Sequence, residues 1–184
     1  MNAVAEEIAP LKLNLGCGKS RMEGFVNVDR REFPGVDQVA ELTTRWPWAD
    51  NSVAEVHMSH VLEHFSGKER VHIFNELYRV LIPCGKATII TPHWASNRAY
   101  GDFTHQWPPV AEFLYFYVSK EWRALNAPDN DIEWNPEGYS CDFEATWGYG
   151  MRQDLLVRNQ EYQVFAMSNY KEACQDLIAT LTKR

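Results

Sequence analysis

Apolar and polar residues alternate at the start of the chain, and short apolar segments recur through its first half. Leu11, Leu13 and Leu15 alternate with polar neighbours, which places their side chains on one face of a β-strand. Each later segment is bounded by turn residues or acids, and the last of them is dense in β-branched residues. We therefore predict five strands, over residues 11–15, 25–29, 36–42, 53–58 and 86–91.

The clearest helical pattern lies between the fourth and fifth predicted strands. Val71, Phe74 and Leu77 recur at helical spacing, and they predict a helix over 68–82 that ends at Pro83. Strands that alternate with helical segments indicate a mostly parallel sheet with helices on its faces. Only a few residues separate the second and third strands, so the crossover helix between them is expected to be reduced or missing.

The pattern changes after the fifth predicted strand. Residues 92–109 contain three prolines and no regular period, which predicts a long loop of the kind that often carries function. Beyond it we predict a helix, two antiparallel strands at the edge of the sheet, and a terminal helix. These elements cover residues 110–125, 141–147, 162–167 and 171–181. The expected fold class is a trimmed α/β domain over residues 1–184 with an antiparallel C-terminal edge.

Composition and charge narrow the class of protein. The net charge of −7 argues against a sequence-independent grip on nucleic acid or on an anionic membrane, which needs an excess of Lys and Arg. The four cysteines form no CxxC pair, so neither a disulfide framework nor a zinc signature is expected. Residues 1–7 lack the pattern of a signal peptide, and no apolar run reaches membrane-spanning length. We therefore predict a cytoplasmic protein.

Candidate ligand-binding residues follow successive predicted strands. Gly16 and Gly18 follow the first strand, where glycine permits positive φ and a close approach of the backbone to a ligand. Asp29 ends the second strand, from which a carboxylate can accept hydrogen bonds from both ribose hydroxyls. Glu41 follows the third strand and could accept from the amine of adenine, and His60 follows the fourth. Their common position at one edge of a parallel sheet predicts a nucleoside site.

These segments together resemble the class I S-adenosylmethionine-dependent methyltransferases, in particular the small "type 11" kind. The resemblance covers about residues 11–91. The glycine turn resembles the first motif of the family, Val28-Asp29 the second, and Glu76 to Lys86 its helix-to-strand turn. Segments 39–42, 50–53 and 59–64 are similar to the adenine-contacting and fourth motifs. Asn14, Glu41 and Cys84 depart from the residues that are commoner in the family.

The resemblance implies a Rossmann-like fold, S-adenosyl-L-methionine as the cofactor and an in-line displacement that moves its methyl group to an oxygen, nitrogen or carbon nucleophile. The expected acceptor is a small or medium-sized molecule, and bulk nucleic acid is not expected. The side chain of Cys17 is expected to turn into the packing between sheet and helix. The cofactor contacts that the resemblance implies are Asn14, Gly16, Cys17, Gly18, Asp29, Glu41, Leu42, Ser59 and His60.

Three histidines are candidates for the general base that a hydroxyl acceptor would need. His60 follows the fourth strand, His93 follows the fifth, and His105 lies in the long loop with Asp102 as a possible orienting partner. The set His93, Asp102 and His105 offers suitable metal ligands, but its spacing matches no metal-binding signature, so we predict no metal site.

Two other functions fit the same fold. One is a non-catalytic module that binds S-adenosylmethionine without turnover. The other is a nicotinamide-dependent oxidoreductase. Arg21 argues against this function, because it occupies the position of the third glycine in the dinucleotide-binding fingerprint. We expect segment 92–125 to form a cap on the acceptor side. The apolar helix predicted over 110–125 would either close that cap or bury a dimer face, and the oligomeric state stays open.

Overall fold

Seven strands form one mixed sheet in the computed structural model, which describes residues 9–184. Residues 1–8 lie outside the described residues. The prediction that residues 1–7 form no signal peptide falls on this segment. The strands are β1 (Leu11–Leu15), β2 (Val26–Asp29), β3 (Gln38–Val39), β4 (Val53–Ser59), β5 (Leu81–Pro92), β6 (Phe143–Met151) and β7 (Cys174–Lys183).

The strand order is β3-β2-β1-β4-β5-β7-β6. Strands β1 to β5 pair in parallel, and β7 runs antiparallel to both β5 and β6. The predicted fold class, a mostly parallel Rossmann-like sheet with an antiparallel C-terminal edge, is confirmed. The segment from β2 to β3 contains turns and no helix, as expected from its length.

In the described part of the chain, five helices flank the sheet or join its strands. The longest, α1, begins at a capping box in which the Ser66 hydroxyl accepts from the Glu69 amide and the Glu69 carboxylate accepts from the Ser66 amide. It buries Ile73, Phe74 and Leu77 in the main core. The helices are α1 (Gly67–Val80), α2 (Arg98–Gly101), α3 (Lys120–Asn126), α4 (Gln153–Leu156) and α5 (Gln160–Asn169). Three short 3-10 turns cover Leu62–His64, Glu112–Phe116 and Pro128–Asn130.

The last two predicted elements were wrong. Segment 171–181, predicted as a helix, lies largely in strand β7, and segment 162–167, predicted as a strand, lies in helix α5. Leu177, Ala179 and Leu181 are fully buried at every second position, which is the period of a strand. Strand β7 is held on both sides by β5 and β6, so tertiary pairing overrode a sequence that is also compatible with a helix.

Other boundaries also differ from the prediction. Helix α1 ends at Val80 and β5 begins at Leu81, so Pro83 lies inside the strand, where a bulge shifts the pairing with β4. The predicted helix over 110–125 is a 3-10 turn followed by α3, which starts afresh because the Ser119 hydroxyl caps it. The predicted strand 36–42 shortens to Gln38–Val39, and the long loop after β5 contains α2.

Within residues 9–184, no helix combines the length and apolar character that crossing a membrane requires. The strands β1, β2 and β4 end side by side at one edge of the sheet, because they are parallel neighbours. That edge holds the candidate site.

Candidate active site

The turn after β1 is held in an unusual backbone conformation. Gly16 and Gly18 have φ of 63° and 52°, in the left-handed region that glycine adopts without steric cost. The Cys17 amide donates to the Val28 carbonyl at 2.9 Å, and the Gly18 amide donates to Asp29 Oδ2 at 3.0 Å. The glycine turn is therefore fastened directly to the end of β2.

Asp29 is largely buried but is not saturated with hydrogen bonds. Its Oδ2 accepts from Gly18, and its Oδ1 accepts from the Arg31 amide at 3.0 Å. A carboxylate offers about four acceptor positions, so each oxygen keeps a free lone pair. Two such lone pairs on adjacent oxygens suit a pair of neighbouring hydroxyl groups.

A cavity of about 510 Å³ opens beside this turn, within the size range of small-molecule sites. Its walls come from the ends of β1 and β2, from the segment after β3, and from the segment after β4. The predicted cofactor residues that line it are Gly16, Gly18, Asp29, Glu41, Leu42 and His60.

The other three predicted cofactor residues are not among those that line the two cavities. Asn14 is buried, and its Nδ2 donates to the Ser20 carbonyl and to Asn27 Oδ1, both at 2.9 Å. Burial raises the pKa of the Cys17 thiol, so this cysteine is poorly suited to act as a thiolate. Ser59 is the last residue of β4 and pairs with Ile90. Direct contact of these three with a cofactor stays a prediction.

A second cavity, of about 560 Å³, adjoins the first, and His60 and His64 line both. The second cavity is also lined by Glu63, Arg98, Asp102 and His105. Three of the four predicted catalytic residues, namely His60, Asp102 and His105, therefore share one space. The sequence brings them together only through folding, because 42 residues separate His60 from Asp102 in the chain.

His60 lies between the two cavities. Its φ of 56° turns the chain sharply after β4. Its Nδ1 lies 3.3 Å from Glu63 Oε1, and its Nε2 lies 3.7 Å from Asp176 Oδ1. The Glu63 carboxylate raises the pKa of His60 above its ordinary value, and it outweighs the opposite effect of burial.

His93 takes part in neither cavity lining. It is buried, its Nε2 lies 3.0 Å from Glu112 Oε1, and its Nδ1 accepts from the Ala95 amide at 3.2 Å. Because Nδ1 accepts, Nε2 carries the hydrogen and donates to the carboxylate. Both ring nitrogens are thus engaged within the protein, as in a structural histidine.

Sequence reasoning did not single out several residues that line these cavities. Arg98 and Thr104 lie in the long loop, where no sequence pattern distinguishes lining from solvent-exposed positions. Glu63 and His64 lie in the segment that resembles the family's fourth motif, and that resemblance was the available signal.

Comparison with known proteins addresses the family. Residues 21–89 match the family model described as "Methyltransferase domain". A structure of a SAM-dependent methyltransferase from Archaeoglobus fulgidus superposes with a TM-score of 0.63 at 15% identity, covering 95% of this chain and 86% of that one. Residues 21–89 are thus similar to a methyltransferase domain, and the chain has the fold of a class I S-adenosylmethionine-dependent methyltransferase.

Two further solved structures share the fold of this chain. Geranyl diphosphate C-methyltransferase from Streptomyces coelicolor A3(2) has a TM-score of 0.53 at 14% identity, covering 95% of this chain and 73% of that one. The 1,6-didemethyltoxoflavin-N1-methyltransferase from Burkholderia thailandensis has a TM-score of 0.54 at 12% identity, covering 95% and 71%. No curated protein matches the sequence.

The residues that line the first cavity fit S-adenosylmethionine, the cofactor that the sequence resemblance implies. A Cβ built on Gly18 would have no described atom within 4 Å, so the backbone there faces open space. The half-satisfied Asp29 carboxylate borders the same space. An exposed backbone beside a partly free carboxylate is the arrangement that a nucleoside with an amino-acid tail requires.

Proposed function

We propose that this protein is a methyltransferase, which transfers the methyl group of S-adenosylmethionine to a small or medium-sized acceptor bound in the second cavity. The observation that carries the proposal is that the two cavities share His60 and His64. A cofactor in one cavity and an acceptor in the other would meet at this boundary. Holding two reactants in contact is the main contribution that a protein makes to such a displacement.

The residues of the first cavity would hold the cofactor. When bound, S-adenosylmethionine supplies an electrophilic methyl group on a sulfonium. Gly16 and Gly18 would allow its amino-acid end to lie along the backbone, and Asp29 would accept from the ribose hydroxyls. Glu41 is the second residue after β3, and its Oε1 accepts from the Thr43 amide at 3.2 Å. Its remaining lone pairs would accept from the adenine amine.

We propose an acceptor-side cap that is narrower than the predicted segment 92–125. The residues of that segment that line the second cavity lie between Pro92 and His105. The later part of the segment packs elsewhere: the Phe116 ring meets Trp122 and Trp147 at centroid distances of 5.7 and 5.5 Å. We therefore assign the cap to residues 92–105, and a dimer face on segment 110–125 stays a prediction.

His60 is the catalytic residue that we propose, because it borders both cavities. Its role would be to contact the acceptor nucleophile and orient it toward the methyl group. Asp102 and His105 would contact the acceptor from the opposite wall. The proposal does not use His93, whose two ring nitrogens are already engaged.

A small-molecule acceptor is consistent with the neighbours of the same fold. One of them is named for the methylation of geranyl diphosphate at carbon and another for the methylation of 1,6-didemethyltoxoflavin at nitrogen. The fold alone does not choose among acceptors. The mixed lining of the second cavity, with Arg98, Glu63 and Asp102, favours a polar acceptor.

The first test is calorimetric binding of S-adenosylhomocysteine to the full chain. Asp29→Ala should weaken binding about 10- to 100-fold, since it removes hydrogen bonds to an ionised acceptor worth about 1.5–3 kcal/mol. Glu23→Ala, which removes an exposed carboxylate outside both cavities, is the matched control and should bind normally. Equal binding by the two variants would contradict the assigned cofactor site.

Turnover is the second test, followed as release of S-adenosylhomocysteine with a panel of small alcohols, phenols, amines and carbon acids. His60→Gln should lower turnover with an accepted nucleophile by a larger factor than it weakens cofactor binding. Cofactor binding without turnover on any acceptor would favour the non-catalytic module. Retention of reduced nicotinamide on the purified protein would instead favour the oxidoreductase.

A further inference from the structure

The Glu63 carboxylate is buried without a hydrogen-bond donor. The residue is 4% exposed, and among residues 9–184 no group donates a hydrogen bond to either of its carboxylate oxygens. His60 Nδ1 approaches Oε1 to 3.3 Å, which is an ion-pair distance without the geometry of a hydrogen bond. Burying a carboxylate without hydrogen bonds destabilises the folded state, so we expect its surroundings to provide an interaction that offsets this effect.

Two imidazole rings face the same space as Glu63. The rings of His64 and His105 meet edge to face at a centroid distance of 4.8 Å. One potential ligand atom from each of Glu63, His64 and His105 lies within 4.8 Å of the other two, and all three residues line the second cavity. Two imidazoles and one carboxylate form a donor set typical of first-row transition metals.

Hydrogen bonding leaves one nitrogen of each ring free for a metal ion. The Nδ1 of His105 lies 3.4 Å from the Ala99 carbonyl, which can only accept, so Nδ1 carries the hydrogen and Nε2 keeps its lone pair. Thr104 Oγ1 donates its one hydrogen to Asp102 Oδ1 at 2.6 Å. It must therefore accept from His64 Nδ1, which lies 3.0 Å away, and this leaves Nε2 of His64 free as well.

The hydrogen bonds that link Asp102, Thr104 and His64 match the way in which metal-binding histidines are held. Such histidines usually donate their second ring nitrogen to a carbonyl or a carboxylate, which fixes the tautomer and the orientation of the ring. His64 does so through a hydroxyl, and His105 does so directly to a carbonyl. Both orienting groups belong to residues 98–105.

Arg70 fixes the distance between the two halves of the cluster. This buried guanidinium donates to the main-chain carbonyls of Leu62 and Glu63 on one side, and of Gln106 and Pro108 on the other. The Gln106 amide also donates to the Glu63 carbonyl at 2.8 Å. The loop that carries His105 is thereby tied to the turn that carries Glu63 and His64.

We propose that Glu63, His64 and His105 bind a divalent first-row transition-metal ion, such as Zn²⁺, Co²⁺ or Fe²⁺, in the second cavity. Bonds of about 2.1 Å to the ion need ligand atoms about 3–3.4 Å apart, so the cluster contracts slightly on binding. The exposed ring of His64 can supply that movement. Three protein ligands leave at least one coordination position open toward the cavity.

The ion would select the acceptor class. If the proposed methyl transfer holds, the open position favours an acceptor with a hydroxyl or another hard oxygen that coordinates the ion. The expectation of no metal site, which rested on the spacing of His93, Asp102 and His105, considered a different set of residues.

Metal binding is tested on the full chain after removal of metals with a chelator. Co²⁺ is titrated and followed by its visible absorption bands, and Zn²⁺ by calorimetry. We expect one ion per chain. Glu63→Gln, His64→Ala and His105→Ala should each weaken binding by at least about 100-fold, and Thr104→Val, which breaks the link to Asp102, by about 10- to 100-fold.

The matched control is His72→Ala, which removes an imidazole outside both cavities. It should leave the Co²⁺ spectrum and the affinity unchanged. Glu63→Gln keeps the side-chain volume and removes a buried charge, so the metal-free variant should melt no lower than the parent but lose the rise in melting temperature that Zn²⁺ produces. A lower melting temperature without metal would indicate that Glu63 serves only to pair with His60.

The proposal is overturned if the parent binds no ion, or if all four site variants bind as His72→Ala does. S-adenosylhomocysteine binding is measured on the same samples and separates the two proposals. Normal cofactor binding by a parent that binds no metal would refute the metal site alone. A parent that does not bind the cofactor, with or without metal, would count against the proposed function.

Discussion

A methyl group added at Gly16 tests whether the turn after β1 is shaped by conformation alone or also by packing. A Cβ built there would lie 2.5 Å from Val61 Cγ2 and 2.9 Å from Val61 Cγ1. Favourable carbon contacts lie at about 3.5–4.0 Å, so the Gly16→Ala methyl overlaps a side chain that is itself 91% buried. Val61 lines the first cavity, and any displacement of it changes the cofactor site.

The expected destabilisation combines two costs and one smaller opposing effect. Placing a Cβ on a residue with φ of 63° costs about 1–2 kcal/mol. Overpacking against Val61 adds about 1–3 kcal/mol. The alanine also lowers the conformational entropy of the unfolded chain, which offsets about 0.4–1 kcal/mol of the destabilisation. We expect Gly16→Ala to lower the free energy of unfolding by about 2–4 kcal/mol, or the melting temperature by roughly 2–4 °C per kcal/mol.

Two other glycines provide controls with the same backbone requirement. Gly18 and Gly24 have φ of 52° and 78°, and a Cβ on either would meet no described atom within 4 Å. Their alanine variants should lose only about 1 kcal/mol, the conformational part of the cost. Urea unfolding of the three variants isolates the packing term, and calorimetry with S-adenosylhomocysteine should show weaker binding for Gly16→Ala than for Gly24→Ala.

A double-mutant cycle tests whether the overlap with Val61 causes the additional loss of stability. Combining Gly16→Ala with Val61→Ala removes the two methyl groups that overlap, so the pair should be more stable than the sum of the single effects by about 1–2 kcal/mol. The reasoning fails if Gly16→Ala costs no more than Gly24→Ala, or if the cycle shows no coupling with Val61.

Two further predictions concern buried charged side chains outside the cofactor cavity. Arg70→Met leaves main-chain carbonyls on two segments without their donor, and urea unfolding should show a loss of about 3–5 kcal/mol; a loss below about 1 kcal/mol would refute the role of Arg70 in tying the loop. Burial raises the pKa of Glu76, but hydrogen bonds from Arg79 and from the Trp46 amide outweigh it and hold the pKa below its usual value. Because the pKa is depressed in the folded state, this stabilisation is present above the unfolded value of about 4.3 and is lost as the pH falls through the folded value. Glu76→Gln should thus be less stable than the parent at pH 7 by about 1–3 kcal/mol, and the difference should vanish in acid; a difference that persists unchanged at low pH would contradict the assignment.

Local sequence patterns determined the first half of the fold well. Strand β1 was predicted with its observed bounds, because an alternating apolar pattern followed by two glycines admits few other structures. The acid at the end of β2 and the glycines after β1 could be placed in one site because parallel strands bring their carboxyl ends to one edge. The first cavity and most of its predicted lining followed from that rule.

Only the tertiary structure decided the C-terminal third and the second cavity. The sequence of β7 suits a helix as well as a strand, and its place between β5 and β6 settled the matter, since an unpaired strand position there would leave the main-chain groups of both neighbours unsatisfied. The loop after β5 has no periodicity, so nothing local indicated that His105 would reach His64 and Glu63 while His93 would turn away to Glu112. Those contacts depend on long-range hydrogen bonds, above all those of Arg70. Its guanidinium donates to the carbonyls of Gln106 and Pro108, which lie 36 and 38 residues further along the chain. Patterns of near neighbours carry no information about such distances.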